Sequence, residues 1–138
     1  MGRVARAGDL VLLYGELGTG KTVFVQGMAK GLKVTDRPTS PSFTIVHEYA
    51  GTLAMYHVDL YRLEPAQVAG IGIEQYIAGD GVTVIEWAER LPENMRKQGL
   101  SVEMSFGARK NGRTLRFAAA DDRSAELLQA LDSGIPQP

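Results

Sequence analysis

DLVLLYGELGTGKT, residues 9–22, is the stretch of sequence that decides the fold. Its first six residues form an apolar run that ends at a glycine, which predicts a short buried strand. Its last eight residues match the pattern G-x-x-x-x-G-K-[ST], in which a glycine-rich loop binds phosphate groups. The residues that follow, as far as Leu32, carry apolar side chains at helical spacing. A strand, a glycine-rich loop and a helix in this order predict a P-loop domain of the α/β class.

The chemistry of the loop follows from its residue types. Its glycines let the backbone N–H groups point inward at the phosphates, and the helix that begins near Lys21 adds its positive end. Lys21 supplies a point charge to the β- and γ-phosphates, and Thr22 offers a hydroxyl to Mg²⁺. A chance match is the alternative in a chain with 16 glycines, but the flanking strand and helix favour the functional interpretation. The predicted nucleotide-binding residues of the loop are Gly15, Glu16, Leu17, Gly18, Thr19, Gly20, Lys21 and Thr22.

Two carboxylates are candidates for the acid that a P-loop needs beside its magnesium ion. Glu86 ends the apolar run VTVIE, and Asp59 ends the run MYHVD. The alternative is that either carboxylate only terminates a strand at the surface. We expect both to act at the site, as catalytic acids and metal ligands, together with Lys21 as the catalytic cation.

A hydroxyl-rich loop follows the P-loop helix. Ser40, Ser42 and Thr44 lie in it beside two prolines. In P-loop switch proteins such a segment senses the γ-phosphate and its metal ion, whereas Ser-Pro pairs are also ordinary turn residues. Both interpretations remain open at this point.

The remaining pattern predicts a mixed sheet rather than a purely parallel one. A single-domain, three-layer P-loop fold with an antiparallel hairpin portion is therefore expected over residues 1–132, followed by a tail at 133–138. The predicted elements are, in chain order, strands 44–49 and 53–61 as an antiparallel pair, a helix at 65–78 weakened by two glycines, a central strand at 81–87, a helix at 88–97 interrupted by Pro92, a hairpin of strands 100–106 and 114–118, and a last helix capped by Asp121 or Asp122.

Composition excludes several classes of function. The 138 residues carry a net charge of −1, which argues against a broad electrostatic surface for nucleic acid. The chain contains no cysteine, so disulfide partners and cysteine-based metal sites are excluded. His47 and His57 are expected to be hydrogen-bonded parts of the scaffold rather than zinc ligands. No apolar run approaches the length of a membrane span, and no signal peptide is recognisable, so we expect a cytoplasmic protein.

Taken together, the motifs resemble the bacterial TsaE family of P-loop ATPases, which belongs to the machinery of tRNA threonylcarbamoyladenosine biosynthesis. The resemblance covers the chain from about residue 8 to about residue 117. Each later motif is weak alone, whereas their order is specific. The four motifs are GELGTGKT (15–22), TSPSFTIVHEY (39–49), YHVDLYRL (56–63) and VIEWAERLP (84–92).

The resemblance implies a role in modifying the adenosine beside the anticodon of tRNAs that read ANN codons. Members of the family bind a TsaD–TsaB pair, and their hydrolysis of ATP with Mg²⁺ supports repeated turnover of that complex. Contact with tRNA is then expected only through the complex. The residues matching the family's motifs are Lys21 and Thr22 in the P-loop, Ser40, Ser42 and Thr44 in the switch segment, Asp59 in D-L-Y-R, Glu86 and Trp87 in the E-W pair, and Arg113 in a G-R turn, with Trp87 and Arg113 expected to bind nucleotide.

One departure from the family concerns the start of the chain. Family members carry a strand and a helix ahead of the P-loop strand, and that segment helps to wall the nucleotide base. Here only residues 1–8 precede Asp9. We therefore expect an intact phosphate site but weaker nucleotide binding than in a version lengthened at the N-terminus.

Two other functions are weighed against the ATPase. One is a non-hydrolysing module in which ATP selects the conformation that docks a partner. The other is a small-molecule phosphotransferase or a GTPase. The chain has no [NT]-K-x-D guanine motif and no arginine-rich lid segment of the kinase type, which counts against the latter.

Overall fold

One mixed sheet organises the part of the chain that the computed structural model describes, which is residues 4–16, 18–35, 46–77, 79–109 and 111–134. The strands in these ranges are β1 (Leu10–Gly15), β2 (Val46–Tyr49), β3 (Met55–Asp59), β4 (Val82–Glu86), β5 (Leu100–Phe106) and β6 (Arg113–Ala119). The helices are α1 (Lys21–Gly31), α2 (Pro65–Val68), α3 (Ile73–Ile77) and α4 (Asp122–Gly134), with 3₁₀ helices at Ala88–Arg90 and Glu93–Lys97.

The order of the strands confirms the expected mixed α/β fold. The strands lie in the order β2-β3-β4-β1-β5-β6. The four inner strands are parallel, whereas β2 and β6 run antiparallel to their neighbours at the two edges. Every residue of β4 is buried, as expected for a strand covered on both faces.

Alternate residues of β1 supply two separate cores, one on each face of the sheet. Val11 and Leu13 pack with the apolar side of α1. Leu10 and Leu12 face the opposite layer, where they pack with residues of α2, α3 and the first 3₁₀ helix. A sheet between two layers of helices is the three-layer arrangement that the sequence predicts.

The prediction of a single helix at 65–78 is wrong. Two short helices, α2 and α3, occupy this stretch instead. Gly72 between them has a φ of +72°, a left-handed conformation that interrupts an α-helix and that glycine adopts readily.

The helix predicted at 88–97 is also wrong, because the segment forms two 3₁₀ turns rather than an α-helix. Pro92 separates them with extended backbone at ψ 147°. Proline lacks the N–H that a continuous helix would need at this position. The two turns thus carry the chain from β4 to β5 without a regular helix.

The C-terminal hairpin and helix agree with the sequence, and β6 is one residue longer at each end than predicted. Asp121 is the residue that caps α4, because its Oδ1 accepts the backbone N–H of Ser124 at 2.8 Å. Among the described residues, no helix combines the length and apolar character that crossing a bilayer requires.

Candidate functional site

The site forms where the carboxyl ends of three parallel strands meet. Gly15 ends β1, Asp59 ends β3 and Glu86 ends β4. Asp59 is the direct partner of Glu86 in the β3–β4 ladder, and Leu13 of β1 is the partner of Glu86 on its other side. In open α/β sheets, ligands bind at this edge. The sheet therefore brings both predicted carboxylates to the end of the P-loop.

The loop between β1 and α1 depends on glycine at particular positions. A Cβ on Gly15 would lie 2.6 Å from the carbonyl oxygen of Met104 on β5, which is far closer than a real contact. Gly20, directly before α1, has a φ of +101°, a conformation that disfavours other residues. Leu17, also predicted to bind nucleotide, lies outside the described residues.

Lys21 is buried in the P-loop and held by three groups. Its Nζ donates to the carbonyl oxygens of Gly15 at 2.5 Å and Glu16 at 3.0 Å, and lies 4.1 Å from the centre of the Trp87 ring. Burial lowers the pKa of the Lys21 ammonium, and the nearby carboxylates, Glu86 foremost, oppose that shift. The ammonium is therefore fixed inside the P-loop; its contact with phosphate stays a prediction.

Glu86 is held between two side chains. Its Oε1 accepts the hydroxyl of Thr22 at 3.5 Å, and its Oε2 lies 2.5 Å from Nε2 of His57. Glu86 is only 3% exposed. A buried carboxylate beside the P-loop hydroxyl gives two oxygen donors of the kind that Mg²⁺ prefers.

The residues present fit a magnesium ion that also takes ligands from outside the protein. Among the described residues, no group of three or more His, Asp or Glu side chains is placed to hold an ion alone. Mg²⁺ at phosphate sites is bound through one or two protein oxygens, with waters and phosphate oxygens completing its shell. Thr22 and Glu86 supply that small set, with Asp59 alongside.

Asp59 has a different environment from Glu86. Its Oδ1 accepts the backbone N–H of Tyr61 at 3.0 Å, so the carboxylate also shapes the turn after β3. With Glu86, it lines a cavity of about 320 Å³ that includes Lys21, Thr22 and Trp87. Asp59 thus lies at a strand end and also lines the cavity beside the P-loop; its role in catalysis and metal binding stays a prediction.

Trp87 is strained where it joins β4 to the first 3₁₀ helix. Its φ of 59° and ψ of 45° are left-handed, which is a true outlier for a bulky side chain. The ring contacts Tyr61 at a centroid distance of 4.9 Å as well as Lys21. The strain places the indole against the P-loop; its contact with nucleotide stays a prediction.

Arg113 brings the β5–β6 hairpin to the P-loop. Its Nη2 donates to the carbonyl of Gly18 at 3.3 Å, and its guanidinium lies 4.6 Å from the centre of the Phe106 ring. The side chain is exposed rather than buried. Arg113 thus reaches the loop, while a bond to phosphate stays a prediction.

A second cavity was not foreseen from the sequence. It measures about 790 Å³ and lies along Gly15, Glu16 and Thr19 of the P-loop. Desolvation raises the pKa of its Glu89, although that residue is largely exposed, and Lys21 opposes the shift. No periodicity marks these residues, because the cavity joins separate elements. Its other lining residues include Tyr14, Trp87, Ser101, Glu103, Phe106 and Arg116.

The two histidines are hydrogen-bonded, as the sequence predicts. His47 Nδ1 lies 3.1 Å from the hydroxyl of Tyr49, and His57 contacts Glu86. The sequence pattern did not indicate that His57 would reach the predicted metal-linked acid. The predicted switch residues Ser40, Ser42 and Thr44 lie outside the described residues.

Comparison with known proteins identifies a family, a sequence relative and a solved structure that this chain resembles. The family model described as "Threonylcarbamoyl adenosine biosynthesis protein TsaE" matches residues 1–115. The Bacillus subtilis protein named "tRNA threonylcarbamoyladenosine biosynthesis protein TsaE" is 38% identical over 128 residues, which cover 92% of this chain and 80% of that protein. A crystal structure of YdiB from the same organism superposes with a TM-score of 0.77 at 34% identity, covering 96% of this chain and 82% of that one.

A second relative matches over a shorter part of its length. The protein of the same name from Nostoc sp. is 46% identical over 97 residues, which cover 67% of this chain. The alignment spans 60% of the Nostoc protein, which is less than two thirds of its length.

Proposed function

We infer the function from one premise: this chain belongs to the TsaE family of threonylcarbamoyl adenosine biosynthesis proteins. Its general role therefore lies in the biosynthesis of threonylcarbamoyladenosine in tRNA. We propose that the chain is a magnesium-dependent P-loop ATPase, and that its hydrolysis of ATP supports turnover of a TsaD–TsaB transferase.

One observation carries the proposal. The carboxylate of Glu86 is buried within hydrogen-bonding distance of the Thr22 hydroxyl, at the end of the P-loop that holds Lys21. A loop that only bound phosphate would need the backbone and Lys21. A desolvated carboxylate facing the loop would repel a phosphate unless a cation lay between them. The arrangement therefore supports a bound magnesium ion and chemistry at the γ-phosphate.

The side chains have distinct roles in this proposal. Lys21 turns from the carbonyls of Gly15 and Glu16 to the β- and γ-phosphates and offsets the charge that develops there. Thr22 and Glu86 hold the magnesium ion, which when bound neutralises phosphate oxygens. Asp59, beside Glu86 on the neighbouring strand, would orient the water that attacks the γ-phosphorus while its bond to the bridging oxygen breaks, which releases ADP and phosphate.

The interaction with partners rests on the family resemblance and on charge. The net charge of −1 does not support binding of tRNA by this chain alone. Contact with tRNA is therefore proposed to occur only within the complex. Low hydrolysis by the isolated chain and faster hydrolysis with TsaD–TsaB are expected from the family resemblance.

Two substitutions test the ATPase proposal. Lys21→Ala is expected to abolish binding of MgATP, and Glu86→Gln to retain nucleotide binding while lowering the hydrolysis rate at least about a hundredfold. Phosphate release by the purified variants measures the rates. Lys97→Ala and Glu93→Gln are matched controls, because these two exposed side chains form an ion pair with each other at 3.6 Å.

The outcomes separate the alternatives. Hydrolysis at the wild-type rate in Lys21→Ala or Glu86→Gln would overturn the proposal. Nucleotide-dependent docking to TsaD–TsaB without any turnover would instead favour the non-hydrolysing module. Transfer of phosphate to a small molecule in place of water would favour a phosphotransferase.

A further inference from the structure

The contact between His57 and Glu86 extends the site by one residue. We propose that His57 is a positioning residue, which holds the Glu86 carboxylate so that its second oxygen faces Thr22 and the magnesium position. The inference rests on the proposed function for the identity of the ion. His57 touches neither phosphate nor the ion in this account and acts only through Glu86.

The geometry divides the carboxylate between two partners. Oε2 lies 2.5 Å from Nε2 of His57, and Oε1 lies 3.5 Å from Oγ1 of Thr22. His57 stands on β3 opposite Val84, two residues before Glu86 on β4. Parallel pairing of β3 and β4 therefore places the imidazole against the carboxylate.

Burial makes this contact consequential. The side chain of His57 is 0% exposed and that of Glu86 is 4% exposed, so water cannot replace either partner. Leaving a buried carboxylate without a hydrogen-bond donor costs more free energy than a neutral hydrogen bond contributes. The fixed imidazole also removes the rotational freedom of the carboxylate, so Oε1 stays directed at Thr22.

The second ring nitrogen indicates which atom carries the hydrogen. Among the described residues, Nδ1 of His57 is buried and has no hydrogen-bond partner. Nδ1 therefore offers no competing partner, and because a carboxylate oxygen accepts, the hydrogen of the contact lies on Nε2, where it is donated to Glu86. Carboxylates that bind metal ions are commonly held by such hydrogen-bond partners, which do not touch the ion themselves.

Purely structural packing is the competing explanation. In that case, removing the imidazole would lower stability and affect nucleotide binding equally with and without magnesium. A positioning role would affect only the magnesium-dependent part of the affinity. The two explanations thus differ in a measurement that does not involve hydrolysis.

The test compares His57→Leu with His57→Gln. Leucine removes the donor, whereas the glutamine amide nitrogen occupies nearly the position of Nε2 and can donate to the same oxygen. Affinity for a fluorescent ADP analogue is measured in Mg²⁺ and again in EDTA. His57→Leu is expected to lower the magnesium-dependent gain in affinity about tenfold and leave the affinity in EDTA unchanged, and His57→Gln to restore most of the gain.

An equal loss of affinity in Mg²⁺ and EDTA, or no loss in His57→Leu, would overturn the proposal. A wild-type chain that binds Mg-ADP but hydrolyses no ATP would refute the proposed ATPase function. The comparison of the His57 variants would still test the positioning role, because it measures binding only. If His57→Leu does not fold, nitrogen NMR of the His57 ring tests the proposal instead. His47→Gln leaves His57 as the sole histidine of the chain; a hydrogen on Nε2 is expected, and an Nε2 without a hydrogen would contradict the proposal.

Discussion

At the scale of single residues, the cation of the P-loop is held by neighbouring groups of the chain. The Lys21 ammonium is satisfied by two backbone carbonyls and by the face of the Trp87 ring. A phosphate group would compete for the same ammonium. Binding of nucleotide should therefore change the surroundings of Trp87 directly.

Because Trp87 is the only tryptophan of the chain, its fluorescence reports this change without a label. Addition of Mg-ADP is expected to shift or quench the emission as the ammonium leaves the ring. Titration of the wild-type chain gives the binding curve. The Lys21→Ala variant should show no titration, and an unchanged wild-type spectrum at saturation would contradict the arrangement.

At the scale of elements, α4 begins with a reciprocal cap. Asp121 accepts backbone N–H groups from Ser124 at 2.8 Å and from Gly99 at 2.9 Å, and thereby ties the helix to the start of β5. The hydroxyl of Ser124 accepts the backbone N–H of Asp121 in return. The hydrogen bond from the backbone of Gly99 and then those with Ser124 lower the pKa of the Asp121 carboxyl below its ordinary value.

Asp121→Ala is expected to lower the free energy of unfolding by about 1 kcal/mol at pH 7, because the cap is lost. Since the folded-state pKa is depressed, this stability is present above the ordinary aspartate pKa of 3.8 and is lost as the pH falls through the lower folded value. Urea unfolding at pH 7 and near pH 3 measures both.

Asp122→Ala is the matched control, because this neighbouring carboxylate was the other candidate cap. Asp122→Ala should lower the free energy of unfolding by less, because the hydrogen bonds from Gly99 and Ser124 go to Asp121. A loss for Asp121→Ala that stays constant down to pH 3, or a larger loss for Asp122→Ala, would contradict the assignment of the cap.

Most of the helices and strands were predictable from the sequence, and the exceptions have physical reasons. The P-loop strand and helix, the central strand ending in Glu86 and the last hairpin follow from apolar runs and turn residues. The helices at 65–78 and 88–97 were wrong because the positive φ of Gly72 and the extended backbone at Pro92 outweighed the helical pattern.

The site shows the same division. Lys21, Thr22 and Glu86 belong to local motifs, and the structure brings them together. His57 and Glu86 are 29 residues apart in sequence, and their contact depends on the register of β3 and β4, which a single sequence does not specify. The 790 Å³ cavity likewise joins residues from β1, β5 and β6.

At the scale of the whole molecule, an ion pair connects the start of β1 to α4 across 114 residues. The guanidinium of Arg123 donates to both oxygens of Asp9 at 2.7 Å, and the Asp9 side chain is 2% exposed. Bidentate pairing of this kind is directional and stronger than a neutral hydrogen bond. It anchors α4 to the strand that leads into the P-loop.

Arg123→Met is expected to lower the free energy of unfolding by about 2 kcal/mol, because it leaves a buried carboxylate short of donors. Urea denaturation measures the loss, and Asp9→Asn combined with Arg123→Met should recover part of it. Lys97→Met removes an exposed pair and should change stability by less than about 0.5 kcal/mol. Equal effects for Arg123→Met and Lys97→Met would refute the anchoring role.

The central claim, that this P-loop hydrolyses ATP with magnesium, is tested most directly by phosphate release from the wild-type chain. The rate is measured in Mg²⁺ and in EDTA, each with and without purified TsaD–TsaB. A slow rate that requires Mg²⁺ and rises when TsaD–TsaB is added is the predicted result. A rate at the background level in all four conditions, with MgATP bound, would contradict the claim.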